Sequence, residues 1–175
     1  HPREGGRRAV AEAALNVALQ GATPIGITDC LNFGSPENPE VMWQFQESIE
    51  GISETCEALK IPVISGNVSF YNETDSKPIY PMPMIGLVGL IEEDLRLPKS
   101  HFYSTQLELG LLGVKEGGLG GSMLAFTWFK RDCGKPDDTD LKVLDRTIKL
   151  CHKLKEKKMD YAIHDISDGG LMVSA

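Results

Sequence analysis

The sequence has no run of 18 or more apolar residues, so no stretch of it is long enough for a membrane-spanning helix. It opens with no charged-then-apolar leader, which makes the cytoplasm the expected compartment. Cysteine is scarce: Cys30, Cys56, Cys133 and Cys151 lie far apart with no CxxC pair, a pattern that disfavours zinc sites and a disulfide framework alike. Positive charge is also in short supply, with 18 Lys and Arg against 25 Asp and Glu and a formal charge of −7. A surface that tracks DNA or RNA works by releasing counterions from clustered cations, so nucleic acid is not an expected partner. The one basic cluster, Lys153, Lys155, Lys157 and Lys158, closes a predicted helix and reads as a solvated helix end that complements the dipole. The glycine-rich stretch Gly117-Gly118-Leu119-Gly120-Gly121-Ser122 lacks the Gly-Lys-Ser or Gly-Lys-Thr of a P-loop and the strict spacing of dinucleotide folds. On composition it reads as a flexible turn.

What is present is an ordinary globular composition, 41% hydrophobic and 25% charged over 175 residues, enough for one core or two small ones. An Ala-, Leu- and Val-rich helix spans Arg8 to Gln20, with Gly21 as its stop. Pro24 to Asp29 then reads as a short strand ending on a carboxylate, followed by a turn-rich loop, Asn32 to Pro39. Val41, Phe45, Ile49, Ile52, Cys56 and Leu59 recur at steps of three and four, which predicts an amphipathic helix. Ile61 to Ser65 and Met84 to Ile91 read as two further strands, the first running into the polar turn Gly66-Asn67-Val68-Ser69. The charged, proline-bearing segment Glu92 to His101 marks a boundary, dividing the chain into units of residues 1–95 and 105–175. Beyond it come an apolar run over Leu107 to Val114, a segment of ambiguous type at Ser122 to Lys130, a helix at Thr139 to Lys158 and a strand at Tyr161 to His164. Strand and helix alternate, so the fold class is α/β or α+β.

Four segments carry candidate site chemistry, three of them at predicted strand ends, where α/β proteins place ligands. In Thr28-Asp29-Cys30-Leu31-Asn32, a carboxylate and an amide suit a hydroxyl-rich ligand or a hydrated cation, or else they form an Asx turn. In Ser65-Gly66-Asn67-Val68-Ser69, glycine admits close backbone approach. Asn67 and Ser69 offer oxygens to a metal ion or phosphate, and if the segment is extended both point to one face; the alternative is a polar hairpin. The glycine-rich turn is the third. In His164-Asp165-Ile166-Ser167-Asp168-Gly169-Gly170 a strand gives way to a helix capped by Ser167 or Asp168, and His164 reads as an oriented structural histidine.

The order and wording of these segments resemble the second half of the synthetase subunit of phosphoribosylformylglycinamidine synthase. The resemblance covers essentially the whole chain. Its carriers are Arg3-Glu4-Gly5-Gly6-Arg7, Thr28-Asp29-Cys30-Leu31-Asn32-Phe33-Gly34, Pro39-Glu40-Val41-Met42-Trp43, Ser65-Gly66-Asn67-Val68-Ser69-Phe70-Tyr71-Asn72-Glu73 and His164-Asp165-Ile166-Ser167-Asp168-Gly169-Gly170-Leu171. It implies a PurM-like N-terminal-type domain followed by part of a PurM-like C-terminal-type domain. It also implies a parent ligase that uses ATP to activate the amide oxygen of formylglycinamide ribonucleotide as an iminophosphate, from which ammonia displaces phosphate. Magnesium screens the phosphate charge. By this resemblance Asp29 and Gly66 contact ATP, Asn67 offers an oxygen to magnesium and Ser69 meets the ribonucleotide.

The resemblance places the catalytic histidine in the other half, so no catalytic residue is expected here and the piece alone is expected to be inactive. The implied partners are a glutaminase that supplies ammonia and, in multi-subunit versions, a small accessory subunit. The chain starts at His1 without methionine and stops in an apolar run, which reads as truncation. A domain without its partner half is expected to pair with a second copy through exposed strand surface. Met123 departs from the family wording, since an acidic or polar residue belongs after Gly120-Gly121-Ser122. The rival readings are a noncatalytic nucleotide-binding or scaffolding module and another enzyme of the same superfamily, a kinase or selenophosphate synthetase.

Overall fold

The computed structural model describes residues 1–92, 97–101, 104, 108–113, 117–131, 133–157 and 161–174. Helix α1 (Pro2–Leu19) begins with proline in its first turn, where a missing N–H costs nothing. It starts six residues before the helix expected from composition, and its contacts with helix α2 (Pro39–Leu59) explain why. An added Cβ at Gly6 would overlap the carbonyl oxygen of Ser48, and one at Gly51 would overlap that of Arg3. Glycine at both positions therefore lets the two backbones cross in contact. Arg3 and Arg7 add ion pairs to Glu54, each at 2.6 Å. Burial pushes the Glu54 carboxyl upward, but hydrogen bonds from Arg7 and Arg3 outweigh it and hold the group below its ordinary range. The intrinsic helix cost of Gly5 and Gly6 is thus offset by tertiary contact.

Between these helices runs strand β1 (Thr23–Asn32), with strands β2 (Val63–Ser69) and β5 (Met82–Leu90) on either side in the order β2-β1-β5. The β1–α2–β2 connection makes β1 and β2 parallel, whereas β5 returns antiparallel to β1. A small hairpin of β3 (Glu73–Thr74) and β4 (Lys77–Pro78) intervenes. Its two turn residues, Asp75 and Ser76, both adopt left-handed backbone (φ 52° and 59°), the conformation that a two-residue hairpin turn requires. Asn38 caps α2 through Oδ1, which accepts from the Glu40 amide at 2.9 Å. Lys60 ends the helix in the left-handed region at φ 57°.

Helix α3 (Met123–Phe129) is capped by the Ser122 hydroxyl, which resolves the ambiguous segment as helix. Helix α4 (Leu141–Glu156) is capped by Asp140, which accepts from the amides of Lys142 and Val143 at 2.9 and 3.0 Å. Helix α5 (Leu171–Ser174) is a single turn. Leu144, Ile148 and Cys151 of α4 join Val10, Ala14 and Ala18 of α1, Ile27 and Leu31 of β1 and Ile52 and Cys56 of α2 in one buried cluster. All four cysteines are free thiols.

Several expectations are corrected here. The basic end of α4 is not wholly solvated: Lys155 is 5% exposed and donates to the Gly21 carbonyl at 2.7 Å. The turn between α1 and β1 leaves that carbonyl in need of a donor, and His152 Nε2 approaches the next one, that of Ala22, at 3.3 Å. Lys153 and Lys157 are exposed, and Lys158 lies outside the described residues. The strand expected at Tyr161 to His164 is a single parallel bridge between Ala162 and Lys99. Of the apolar run at 107–114, residues 108–113 are described and form no regular element.

The glycine-rich turn is wedged rather than free. An added Cβ at Gly120 would overlap the Lys135 carbonyl, and the Gly118 amide donates to the Asp137 carboxylate. Asp137 is tied in turn to α1 through its own carbonyl, which accepts from Arg8 at 2.7 Å. Nearby, buried Glu4 accepts from the Thr139 amide at 2.9 Å and from Arg8 at 3.1 Å.

Candidate functional site

The two faces of the β2-β1-β5 sheet differ in kind. Side chains alternate along each strand, and in register they share a face with their neighbours. Ile27 and Leu31 of β1, with Ile85 and Leu87 of β5, point into the helix-packed core. Thr28, Cys30 and Asn32 point the other way, opposite Gly86, Met84 and Met82 on β5 and Ser65, Asn67 and Ser69 on β2. No described helix covers this second face. It grades from apolar on the β5 side, where Met84 and Val88 are 55% and 56% exposed, to polar on the β2 side.

The sequence-predicted residues fall into two couples on these two faces. Asp29 is not at a strand end: β1 runs on to Asn32, and Asp29 pairs with Gly66 on the helix-facing side. That excludes the Asx turn as the reason for Asp29 and Asn32. An added Cβ at Gly66 would overlap the Asp29 carboxylate, so this glycine is what makes room for the carboxyl group. Burial raises the Asp29 pKa above its ordinary value. Burial also raises that of the Cys56 thiol on α2, and the nearby Asp29 charge adds to it.

Asn67 and Ser69 lie on the open face, where Asn67 is level with Cys30 and Ser69 with Asn32. The segment expected as a polar turn is the continuing strand β2, which is what brings Asn67 and Ser69 to one side. The Asn32 amide donates weakly to the Cys30 carbonyl at 3.4 Å and lies 3.5 Å from its sulfur. In the described structure β2 is an edge strand exposed on both faces, and it contributes Gly66 to the couple on one face and both Asn67 and Ser69 to the couple on the other.

The exit of β2 is held by Asn72, a residue that sequence reasoning gave no role. Its side-chain amide donates to the carbonyls of Phe33 at 3.0 Å and Ser69 at 2.8 Å, and lies 3.4 Å from the Ser69 hydroxyl. Backbone bonds complete the knot: Phe33 N–H donates to Ser69, Asn72 N–H to Phe33 and Tyr71 N–H to Gly34. Beneath it Phe33, Phe45 and Phe70 pack edge to face or tilted, with centroids 5.1 to 6.5 Å apart. The sequence signal was an Asn three residues beyond Ser69, just ahead of a hairpin.

His164 and its neighbours lie elsewhere, lining a cavity of about 670 Å³ with Leu15, Leu19, Cys151 and Ser167. His164 Nδ1 is 2.7 Å from the Asp165 carbonyl and 3.1 Å from its carboxylate. Neither Ser167 nor Asp168 caps a helix, because α5 begins only at Leu171. Among the described residues, no three His, Cys, Asp or Glu side chains gather in a way that would hold a metal. Asn67 and Ser69 present a neutral amide and a hydroxyl on the open face, with no carboxylate beside them in register. No described helix is long and apolar enough to cross a membrane.

Residues 1–91 match the family model described as AIR synthase related protein, N-terminal domain. The whole chain is similar to phosphoribosylformylglycinamidine synthase subunit PurL of Carboxydothermus hydrogenoformans, at 49% identity over 175 residues, covering 99% of this chain and 24% of that protein. Among solved structures it resembles Thermotoga maritima PurL complexed with FGAR, with TM-score 0.56 and 23% identity over 88% of this chain and 21% of that one. It also resembles the hydrogenase maturation protein HypE of Escherichia coli, with TM-score 0.60 and 20% identity over 96% of this chain and 49% of that one. The two structural likenesses, at this identity, establish a shared PurM-like α/β fold. Since the family model matches more than half of the residues, the chain belongs to the family of AIR synthase related proteins, whose N-terminal domain it carries.

Proposed function

We propose that this chain is part of the synthetase subunit of phosphoribosylformylglycinamidine synthase. That ligase joins ammonia to formylglycinamide ribonucleotide with the consumption of ATP, and glutamine is the ammonia source. The observation that carries the reading is the 49% identity to a PurL subunit along almost the entire chain. In this reading residues 1–95 are a PurM-like N-terminal-type domain and residues 105–175 part of a C-terminal-type domain. The parent works in the cytoplasm with a glutaminase, and with a small accessory subunit where the enzyme is divided.

Asp29 and Gly66 face the ATP, Asn67 gives magnesium one oxygen and Ser69 meets the ribonucleotide. Magnesium, when bound, screens the phosphates. The chain's own residues bind and orient. Gly66 leaves room for the Asp29 carboxylate, whose raised pKa reflects poor solvation and favours a partner that donates hydrogen bonds. The open face supplies amide and hydroxyl groups to a polar ligand along β2, while its apolar β5 side is suited to burial against a second copy of this chain or the parent's other half.

Calorimetric titration with a nonhydrolysable ATP analogue, with and without magnesium, tests this on the wild-type chain and Asn67→Ala. Magnesium-dependent binding that the variant weakens by about tenfold, the loss of roughly one oxygen contact, supports the reading. Binding indifferent to magnesium and to Asn67 would identify a noncatalytic nucleotide module instead. Sedimentation tests the pairing: a monomer at all concentrations would contradict it.

A further inference from the structure

We infer that Asn72 is a positioning residue that fixes the polarity of the Ser69 hydroxyl, presenting it to the ligand as a hydrogen-bond donor. The inference rests on the reading of Ser69 as a substrate contact.

A serine hydroxyl carries one donor and two acceptor lone pairs, and the hydrogen rotates to suit its neighbours. On an exposed strand such a group is indifferent, accepting or donating as the ligand demands. Ser69 is not left in that position. The Asn72 amide has two hydrogens and faces three acceptors: the carbonyls of Phe33 and Ser69, at 3.0 and 2.8 Å, and the Ser69 Oγ at 3.4 Å. The two carbonyls can only accept, so they identify the nitrogen end of this side chain as the one facing Ser69. The Ser69 oxygen thus meets on its protein side a donor whose hydrogen it shares with the Ser69 carbonyl, so its own hydrogen is directed away from Asn72. An outward O–H seeks an acceptor, the kind of group that a phosphate, carbonyl or ribose oxygen provides and an ammonium does not.

The support beneath Asn72 is stiff. Its amide N–H donates to Phe33 at 3.1 Å, and its carbonyl accepts from Ile79 at 3.1 Å, so both sides of the backbone are held. Tyr71 next to it adopts φ 60°, a left-handed conformation uncommon for a bulky residue, which swings the chain so that residue 72 faces back onto Ser69. The Phe33, Phe45 and Phe70 rings fill the space below. A second consequence is register. By binding the carbonyls of Phe33 and Ser69 together, Asn72 locks the ends of β1 and β2, so that Ser69 stays level with Asn32.

The test is a double-mutant cycle on the full 175-residue chain, with titration by formylglycinamide ribonucleotide in the presence of the magnesium–nucleotide analogue. The variants are Ser69→Ala, Asn72→Ala, the two combined, and Asn72→Asp alone and with Ser69→Ala. If the inference holds, Ser69→Ala and Asn72→Ala each weaken binding by about tenfold and the double variant is no weaker than either. Asn72→Asp keeps the size and turn preference but accepts from Ser69 when ionised. Its affinity at neutral pH drops likewise and recovers as pH falls through the carboxylate range, about pH 4, whereas wild-type affinity does not follow that profile. A purely structural Asn72 would lower affinity additively with Ser69→Ala, and Asn72→Asp would show the same recovery in a Ser69→Ala background, because an ionised carboxylate also repels the Phe33 and Ser69 carbonyls. Either of those results overturns the inference and leaves Ser69 as a substrate contact. Absence of wild-type binding, or a Ser69→Ala chain that binds normally, removes the underlying reading and the inference with it.

Discussion

The two faces of one three-stranded sheet are built to opposite ends. On the helix-facing side Ile27 is fully buried and Leu31 nearly so, and α1, α2 and α4 meet over them. On the other side Met82, Met84, Val88 and Leu90 stand out beside Asn67 and Ser69 with no described helix above them. A sheet covered on one face only is stable when its buried side completes a core, and the uncovered side is then available for recognition. The contrast teaches that exposure of apolar strand residues here is not a failure of packing. The stabilising contacts lie on one face, and the other keeps Asn67 and Ser69, two of the groups proposed to meet ligands.

Substitutions that damage the closed face should have the largest effects. Phe33→Ala removes the fully buried ring of the aromatic trio and should cost about 3–5 kcal/mol, read as a fall in the urea midpoint. Gly51→Ala places a methyl group against the Arg3 carbonyl and should cost about 3 kcal/mol, since the overlap is with backbone and the two helices must move apart to relieve it. Lys155→Met removes the donor to Gly21 and should cost about 2 kcal/mol, visible in the same unfolding curve.

The open face should respond differently. Val88→Thr should leave monomer stability within about 0.5 kcal/mol of wild type while weakening any self-association seen by sedimentation. A large stability loss from Val88→Thr would erase the distinction between the faces.

Asp29 sharpens the comparison by pH, because it sits on the closed side yet is proposed to serve a ligand. Its folded-state pKa is raised by burial, so the unfolded chain holds this proton less tightly. The stability associated with the protonated group is present below the unfolded pKa and lost as pH rises through the folded one. A neutral amide in its place has no such loss, so the Asp29→Asn chain should melt higher than wild type at pH 7. The gap should close as pH falls below the carboxylate range, while the loss of nucleotide affinity is seen at neutral pH, where Asp29 is ionised. A melting gap that widened on acidification would reverse the assigned cause.

Much of the closed face was legible in the sequence, since the three- and four-residue spacing from Val41 to Leu59 pointed to α2 and the apolar runs to three strands. The early start of α1 was not. Gly5 and Gly6 are poor helix signals, and the reason for Gly6 is a close crossing with α2 at Ser48 that local pattern does not reveal. The burial of Lys155 was hidden for the same reason: a lysine at a helix end looks solvated until a distant carbonyl is brought to it. For the site, alternation correctly put Asn67 and Ser69 on one face. It did not show that Asp29 and Gly66 occupy the other, because that depends on how β1 and β2 are registered. The resemblance to a known family supplied residue roles but no faces, and it gave Asn72, though part of a shared motif, no role.

Native-state thiol labelling tests the contrast between the faces most directly, because Cys30 lies on the open face beside Asn67 whereas Cys56 and Cys151 lie buried on the closed one. With the labelled positions identified by peptide mass, Cys30 should react fast in the free chain. It should slow when formylglycinamide ribonucleotide and the magnesium–nucleotide analogue are added, while Cys56 and Cys151 stay protected throughout. Equal reactivity of Cys30 and Cys56, or a Cys30 rate indifferent to both ligands, would contradict the assignment of the open face as the working surface.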